Sequence, residues 1–162
     1  MSLYTIHVPQ GDTVTVHQNI RAYIATDASI SQILTGGVYD LDSIDEQDKG
    51  GADWAPRETN GVRIAPHLKM RWGEASPYGE NILLAAESES LELYIYQDTG
   101  YDIIHAVTRR LKAILHNSYF TGDDVDYSYM TFANLTRQTN AEELGDASLR
   151  VMSFQHIYLL QE

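Results

Sequence analysis

The amino-acid sequence predicts an α+β fold, with helices packed on one face of an antiparallel or mixed sheet of about four to five strands. Residues 62–72 and 86–97 alternate apolar and polar side chains with the period of a β-strand. Residues 101–119 instead repeat apolar side chains at helical spacing and leave the polar ones on the opposite side. The predicted order is a helix, a long loop, two strands, a helix and two strands, which is typical of the α+β class.

The N-terminal quarter is predicted to hold an extended arm, a helix and a short strand. Residues 1–15 begin with alternating apolar side chains and form an arm or strand. Residues 16–24 place their apolar side chains on one helical face, which predicts an N-terminal helix that is shorter than the main helix at 101–119. Asp27 can cap a second helical turn, which the following pair of glycines ends. Residues 38–41 are then a short strand.

Residues 42–61 form the longest segment without a period, and they are rich in acidic side chains. A structureless loop of this length inside a compact domain is usually functional or disordered. We expect a single domain over residues 1–162, in which this acidic loop meets a partner and becomes ordered on meeting it. Its candidate interface residues are Asp42, Asp45, Glu46 and Asp48.

Two groups of basic side chains are candidate docking patches. The strand predicted over residues 62–72 has one apolar face and one basic face, and its partner at 86–97 would set Glu87, Glu89 or Glu92 opposite a cation. The second group lies on the predicted helix at 101–119, which Asp98 or Thr99 can cap. Intramolecular ion pairs or a solvated surface would explain the same residues. The basic candidates are Arg63, Lys69, Arg71, Arg109, Arg110 and Lys112.

The C-terminal part is predicted to contain a turn and two strands. Residues 122–126 form the turn, and residues 127–137 and 148–160 form the strands. The last strand is apolar on both faces, so either a partner covers its second face or it lies in the middle of the sheet. The chain has 11 tyrosines, a residue favoured at interfaces, and Tyr94 and Tyr96 lie opposite the aliphatic face of their strand.

Composition excludes several classes of protein. The 23 acidic residues against 11 Lys and Arg give a net charge of -12, which disfavours a nucleic-acid-binding role. Without cysteine there is no disulfide framework, thiolate zinc site or cysteine nucleophile. The start of the chain lacks the pattern of a signal peptide, and no apolar run approaches the ~18 residues of a membrane helix. We therefore expect a protein with no membrane role.

No motif predicts a catalytic, cofactor or metal site. Glycine-rich phosphate loops, nucleophile elbows and zinc-protease helices are all missing from the sequence. His105 and His116 lie ~16 Å apart along one helix and cannot share a metal. Asp123, Asp124 and Asp126 could bind calcium, although a solvated turn explains them more simply. A small metal-dependent hydrolase using these residues, or the acids at 40–53 with His67, is the alternative of another class.

The segment IRAYIATDASISQILTGGVYDL, residues 20–41, resembles the opening of bacteriophage tail-completion proteins. The resemblance continues through the acidic loop, the element at residues 64–66, the alternating strand at 91–96, and a helix ending in L-x-x-I-L at 111–115. Two closing strands extend it to residue 160. The arm and the 42–61 loop are longer than the family pattern.

This resemblance implies a tail terminator, a structural virion protein and not an enzyme. Such subunits form a ring, commonly a hexamer, that caps the tail tube and joins it to the head connector. DNA passes through without specific binding, and an acidic wall suits that passage because it repels phosphate. The implied location is the virion tail or neck, after assembly in the host cytoplasm. Other neck or tail roles, such as head closure, tube or baseplate subunits, remain open.

Overall fold

The computed structural model describes residues 14–79 and 86–160, so the predicted arm at 1–15 lies outside it except for its last two residues. A 3-10 helix over Ile44–Gly50 and another over Glu142–Leu144 supplement the main elements. In chain order, those elements are α1 (Val16–Thr26), α2 (Ala28–Ile33), β1 (Gly37–Asp40), β2 (His67–Trp72), β3 (Ser76–Pro77), β4 (Ala86–Gln97), α3 (Asp102–Leu115), β5 (Ser118–Tyr119), β6 (Val125–Leu135), β7 (Thr139–Ala141) and β8 (Ala147–Leu160).

One sheet of eight strands organises the described residues, with the order β1-β2-β4-β8-β6-β5. The pairs β3–β4 and β7–β8 complete it, and all pairs are antiparallel except β1–β2. The predicted α+β class is therefore confirmed, including the mixed sheet, whereas the predicted strand number was too small. The strands β3, β5 and β7 are two or three residues long, which is too short for an alternating pattern to reveal them.

The helices cover one face of the sheet, here called the helix face. Apolar side chains of β2, β4, β6 and β8 that point to this face form a single cluster with α1, α2 and α3. Leu93, Phe154 and Ile104 have no exposed surface in it. In the described ranges, no helix is both long and apolar enough to cross a membrane.

The helix ends are fixed by side chains near them. Thr15 and Gln18 form a capping box at the start of α1, and Asp27 caps α2 as predicted by accepting the Ile30 N–H. The predicted cap of α3 was wrong, because the side chain of Gln97, and not that of Asp98 or Thr99, accepts the N–H groups of Ile103 and Ile104. The helix also ends at Leu115, four residues before the predicted end.

The strand predicted over residues 62–72 begins only at His67. The backbone of residues 57–64 pairs with itself through a bridge between Arg57 and Ile64, so it does not join the sheet. After β2, residues 76–77 form the short strand β3, which pairs with β4. In the remaining strand, Arg71 lies opposite Glu92 on β4, which confirms the predicted pairing of a cation with an acid.

The acidic segment at 42–61 is folded against its own sheet. Its first part is the 3-10 helix, whose Glu46 reaches Arg21 on α1. Its second part lies over the opposite face of the sheet, where the Trp54 carbonyl contacts Lys69. The segment therefore passes around the edge formed by β1, and the expectation that it orders only on meeting a partner was wrong.

Candidate functional site

The face of the sheet opposite the helices is the main candidate interaction surface, and we call it the outer face. Short segments cover one end of it. Ile64, Ala141, Leu144 and Ala147 form a small apolar cluster there, against which Leu149 of β8 packs. The second apolar side of the last strand is thus partly covered from within the chain, and β8 lies between β4 and β6 in the middle of the sheet.

Lys69 was expected on an exposed basic surface, but it is 2% exposed. Its Nζ donates a hydrogen bond to the Trp54 carbonyl at 2.7 Å and lies over the rings of Trp54 and Tyr96. Burial lowers the pKa of this ammonium. The segment that covers it has no strand or helix periodicity, so no sequence pattern indicates that this lysine is buried.

Tyr94, Tyr96 and Arg71 lie beside Lys69 around a recess of about 180 Å³. Tyr96 stacks on the buried ring of His67 with ring centres 4.7 Å apart. The Tyr94 hydroxyl donates to Glu92, and burial together with this carboxylate raises the pKa of Tyr94 to about 12. Arg71 is exposed and lies over the Tyr94 ring. Both tyrosines are half-buried and only partly available to a partner.

The other end of the outer face carries aromatic and aliphatic side chains, which we call the tyrosine patch. Cross-strand pairing sets Tyr129 beside Ile157 and Tyr127 beside Leu159. The Tyr119 ring contacts both tyrosines of β6, at 5.5 and 5.2 Å between ring centres. Tyr119 is 66% exposed and Tyr127 is 44% exposed. The patch consists of Tyr119, Tyr127, Tyr129, Ile157 and Leu159.

The basic candidates on α3 differ in their surroundings. The Nε and Nη2 atoms of Arg110 donate three hydrogen bonds to the Asp27 carboxylate, the shortest at 2.7 Å, so Arg110 forms an ion pair within the chain. This contact lowers the pKa of Asp27. Lys112 is exposed and lies 4.3 Å from the centre of the Phe132 ring, and Arg109 is exposed on the same helix. Arg63 is exposed in the turn before β2.

The acidic candidates also separate into two kinds. Glu46 is engaged internally, because its carboxylate binds Arg21 and accepts the Asp40 N–H. Asp42 is exposed, yet it accepts the Trp72 N–H at 2.6 Å. Asp45 and Asp48 are exposed on the 3-10 helix. Three of the four predicted acids thus reach the surface.

A buried polar cluster lies on the helix face, where the sequence analysis predicted no site. Glu89 of β4 contacts His17 of α1 and accepts from the Nδ1 of His156 on β8 at 2.9 Å. The Nε2 of His156 contacts the Ser128 hydroxyl. Burial raises the pKa of Glu89, but the hydrogen bonds from both histidines outweigh it and hold this pKa below its ordinary value.

The order serine, histidine, glutamate in this cluster matches that of a hydrolytic triad. A nucleophilic serine must reach the carbonyl carbon of a substrate, however, and Ser128 is 1% exposed. His156 is completely buried as well. The geometry therefore describes a satisfied polar network inside the protein and not an accessible nucleophile.

The predicted turn at 122–126 anchors α1. Asp123 accepts the Val14 N–H and Asp124 accepts the Val16 N–H, both at 2.8 Å. Two of the carboxylates that could have bound calcium thus satisfy the free N–H groups at a helix start. Asp126 is exposed on the following strand.

The cluster of His17, Glu89 and His156 could not be predicted from sequence patterns, because its members are far apart in the chain. The sheet brings them together, since Glu89 and His156 are direct cross-strand partners of β4 and β8. The two strands were predicted, but their register was not. Correct register would have revealed a carboxylate opposite a histidine on a face that should be apolar.

No family model matches this chain, and no curated protein matches it either. Solved structures do match, among them a chain described as "Virion of native gene transfer agent (GTA) particle". That match has a TM-score of 0.58 at 13% identity and covers 91% of this chain and 92% of the other. What the two chains share is the fold. The likeness spans both chains nearly end to end, so it concerns the whole architecture and not one motif.

Proposed function

We propose that this protein is a structural subunit of a phage-like virion and that it acts there as a tail terminator. In this role, copies form a ring, a hexamer in our proposal, that caps the tail tube and joins it to the head connector. The observation that carries the proposal is the shared fold with a chain from a gene transfer agent virion over 91% of this chain. The resemblance of residues 20–160 to tail-completion proteins supports the finer assignment.

The outer face supplies the surface for assembly. Contiguous exposed apolar patches on a soluble protein usually mark interaction sites, and tyrosine is enriched in such sites. The tyrosine patch fits this description, with Tyr119 and Tyr127 as its most exposed members. We assign it to the contact between neighbouring subunits of the ring.

Charged residues orient the same contact. In a head-to-tail ring, two different surfaces of the subunit meet, so a basic group can face an acidic one. Lys69, Arg110 and Glu46 are engaged inside the subunit. The charges assigned to the contact are therefore the exposed ones, namely Arg63, Arg71, Arg109 and Lys112 on the positive side and Asp42, Asp45 and Asp48 on the negative side.

The acidic character of the chain suits the passage of DNA. With a net charge of -12, a ring of several copies repels phosphate and binds DNA without specificity or not at all. The proposed location is the virion neck, reached after assembly in the host cytoplasm. A non-enzymatic role agrees with the burial of Ser128 and with the use of Asp123 and Asp124 as helix anchors.

Light scattering of the size-fractionated protein, followed by electron microscopy, tests this proposal. We expect rings with a central hole that bind to the ends of tail tubes. The double variant Tyr119→Ser/Tyr127→Ser should fold but remain monomeric, because it removes the most exposed apolar surface of the patch. Tyr78→Ser, which changes a tyrosine of similar exposure outside the patch, is the matched control and should still form rings.

Three outcomes would contradict the proposal. A wild-type protein that is monomeric at every concentration and ignores tail tubes would exclude a ring. Binding along the length of tubes, or only to baseplates, would indicate another tail role. Equal assembly of the double variant and Tyr78→Ser would remove the tyrosine patch from the contact.

A further inference from the structure

The cluster of His17, Glu89 and His156 has the composition of a metal site. Its members offer two imidazole nitrogens and a carboxylate oxygen, and the three ligand atoms lie within 4.8 Å of one another. Neutral imidazole and carboxylate are ligands that Zn²⁺ and related divalent ions accept. The residues come from α1, β4 and β8, so an ion bound here would join the first turn of the helix to two central strands.

The surroundings of His156 support a ligand role. A metal-bound histidine nearly always donates its other ring N–H to a polar partner, which fixes the tautomer. The Nε2 of His156 faces the Ser128 hydroxyl, which can accept that proton. In that tautomer the Nδ1 on the Glu89 side has no proton and can bind an ion, whereas in the metal-free protein the Nδ1 donates its proton to Glu89. His17 is likewise held in place, because its ring stacks on Trp72 with centres 3.8 Å apart.

The fit requires both histidines to move away from the Glu89 oxygen that they contact. Two ligands placed 2.0–2.2 Å from a tetrahedral ion stand roughly 3.4 Å apart. The Nδ1 of His156 and the nearer oxygen of Glu89 are 2.9 Å apart, so they must separate by about 0.5 Å. The contact between His17 and Glu89 is shorter still, so this pair must separate further. The His17 side chain is 36% exposed at the start of α1, and its ring can shift along the face of Trp72 while remaining stacked on it.

An acidic cleft leads to the cluster. A cavity of about 500 Å³ is lined by His17 and Trp72 and by the carboxylates of Asp40, Asp42 and Asp45. Arg21 also borders it, but this arginine is paired with Glu46. A cleft lined by one sign of charge concentrates ions of the opposite sign. The cleft thus provides a route for a cation and space for a water molecule as a further ligand.

We propose that His17, Glu89 and His156 bind a divalent transition-metal ion of the Zn²⁺ class, which fastens α1 to the sheet. On binding, the protons that hydrogen-bond the histidines to Glu89 are lost to solvent or move to the other ring nitrogen. The ion binds the folded state and therefore stabilises it. This proposal is independent of ring assembly, since one subunit supplies all three ligands.

Titration of the full-length, chelator-stripped protein with ZnCl₂ tests the proposal, with calorimetry and thermal melting as readouts. We expect one ion per chain and a melting temperature that rises with the ZnCl₂ concentration. His17→Gln keeps a hydrogen-bond donor near Glu89 but removes a ligand, so it should raise the Kd more than about 100-fold. Ser128→Ala should raise it about 10–100-fold by removing the partner of His156.

His105→Gln is the matched control, because it removes an exposed histidine on α3 and should leave the Kd unchanged. With CoCl₂, the wild type should show the strong visible absorption of a four- or five-coordinate ion, and His17→Gln should not. Circular dichroism establishes that each variant is folded. The proposal is overturned if the wild type shows no rise in melting temperature with ZnCl₂, or if His17→Gln binds as tightly as His105→Gln.

Discussion

The helix face and the outer face belong to the same strands, yet they are completed in different ways. On the helix face, three helices cover the sheet, and Leu93 and Phe154 have no exposed surface. The polar side chains of Glu89 and His156 are also buried there and form a hydrogen bond with each other. On the outer face, irregular segments cover one end, and the tyrosine patch at the other end remains exposed. This chain therefore completes its folding core alone, and under the proposed function the exposed part of its second face is the part that meets another molecule.

The substitution expected to lower the stability most removes a buried aromatic ring from the helix face. Phe154→Ala empties a fully buried position on the helix face and should lower the free energy of unfolding by about 3–5 kcal/mol. Ile157→Ala, on the outer face of the same strand, should cost about 1 kcal/mol. Urea titrations of both variants measure the difference. Equal losses would mean that the outer face is as much a core as the helix face.

Much of the helix face was predictable from the sequence, because the apolar period of a long helix or strand indicates which of its side chains are buried. The spacing of Ile20 and Ile24, the alternation around Leu93, and the apolar stripe of α3 identified the main elements close to their observed bounds. These patterns repeat often enough for each side chain to support the assignment of the next.

The outer face was not predictable, because irregular segments determine its burial. Lys69 has the pattern of a solvated strand residue until residues 51–54 fold over it. Arg63 continues the same alternation but lies in a turn that pairs with itself. The polar cluster was missed for a related reason, since 67 residues separate Glu89 from His156 and only strand register joins them. Contacts between distant residues carry no local pattern.

The second prediction concerns pH and the covered end of the outer face. Burial lowers the pKa of His67 to about 4, so this histidine is neutral in the folded protein over most of the acidic range. The unfolded chain takes up a proton near pH 6.5, so the stability present above that pH is lost as the pH falls towards 4. Between pH 7.5 and pH 5, the wild type should lose about 2 kcal/mol more than His67→Phe.

Urea titrations of both proteins at the two pH values measure this difference, and His67→Phe cancels the contribution of the carboxylates they share. If the wild type and His67→Phe lose the same stability between pH 7.5 and pH 5, water reaches His67 and the covering segments open easily. In that case, water would reach the covered end of the outer face as well as the exposed end.

A third prediction tests the cover itself. Lys69→Ala removes the donor that binds the Trp54 carbonyl, so it should lower the free energy of unfolding by about 1–3 kcal/mol. Arg71→Ala changes an exposed cation two residues away and should cost less than about 0.5 kcal/mol. Thermal or urea unfolding of the two variants provides the comparison. Equal costs would indicate that the segment at 51–54 does not depend on Lys69.

A substitution in the tyrosine patch, at the exposed end of the outer face, should change the stability least. Tyr119 is 66% exposed, so Tyr119→Ser should change the free energy of unfolding of the dilute protein by less than about 0.5 kcal/mol. The same substitution should nevertheless weaken assembly, because the surface it removes is the one assigned to a neighbouring subunit. A large loss of stability in the dilute protein would place Tyr119 in the folding core instead.

Hydroxyl-radical footprinting of the tyrosines, read by mass spectrometry, determines whether assembly buries the tyrosine patch. The dilute protein and the assembled protein are labelled in parallel, and the labelling of each tyrosine is compared. We predict that Tyr119 and Tyr127 become protected on assembly while Tyr78 stays as reactive as in the dilute protein. Assemblies in which Tyr119 and Tyr127 label as fully as before would contradict the account, because the exposed end of the outer face would then face only water.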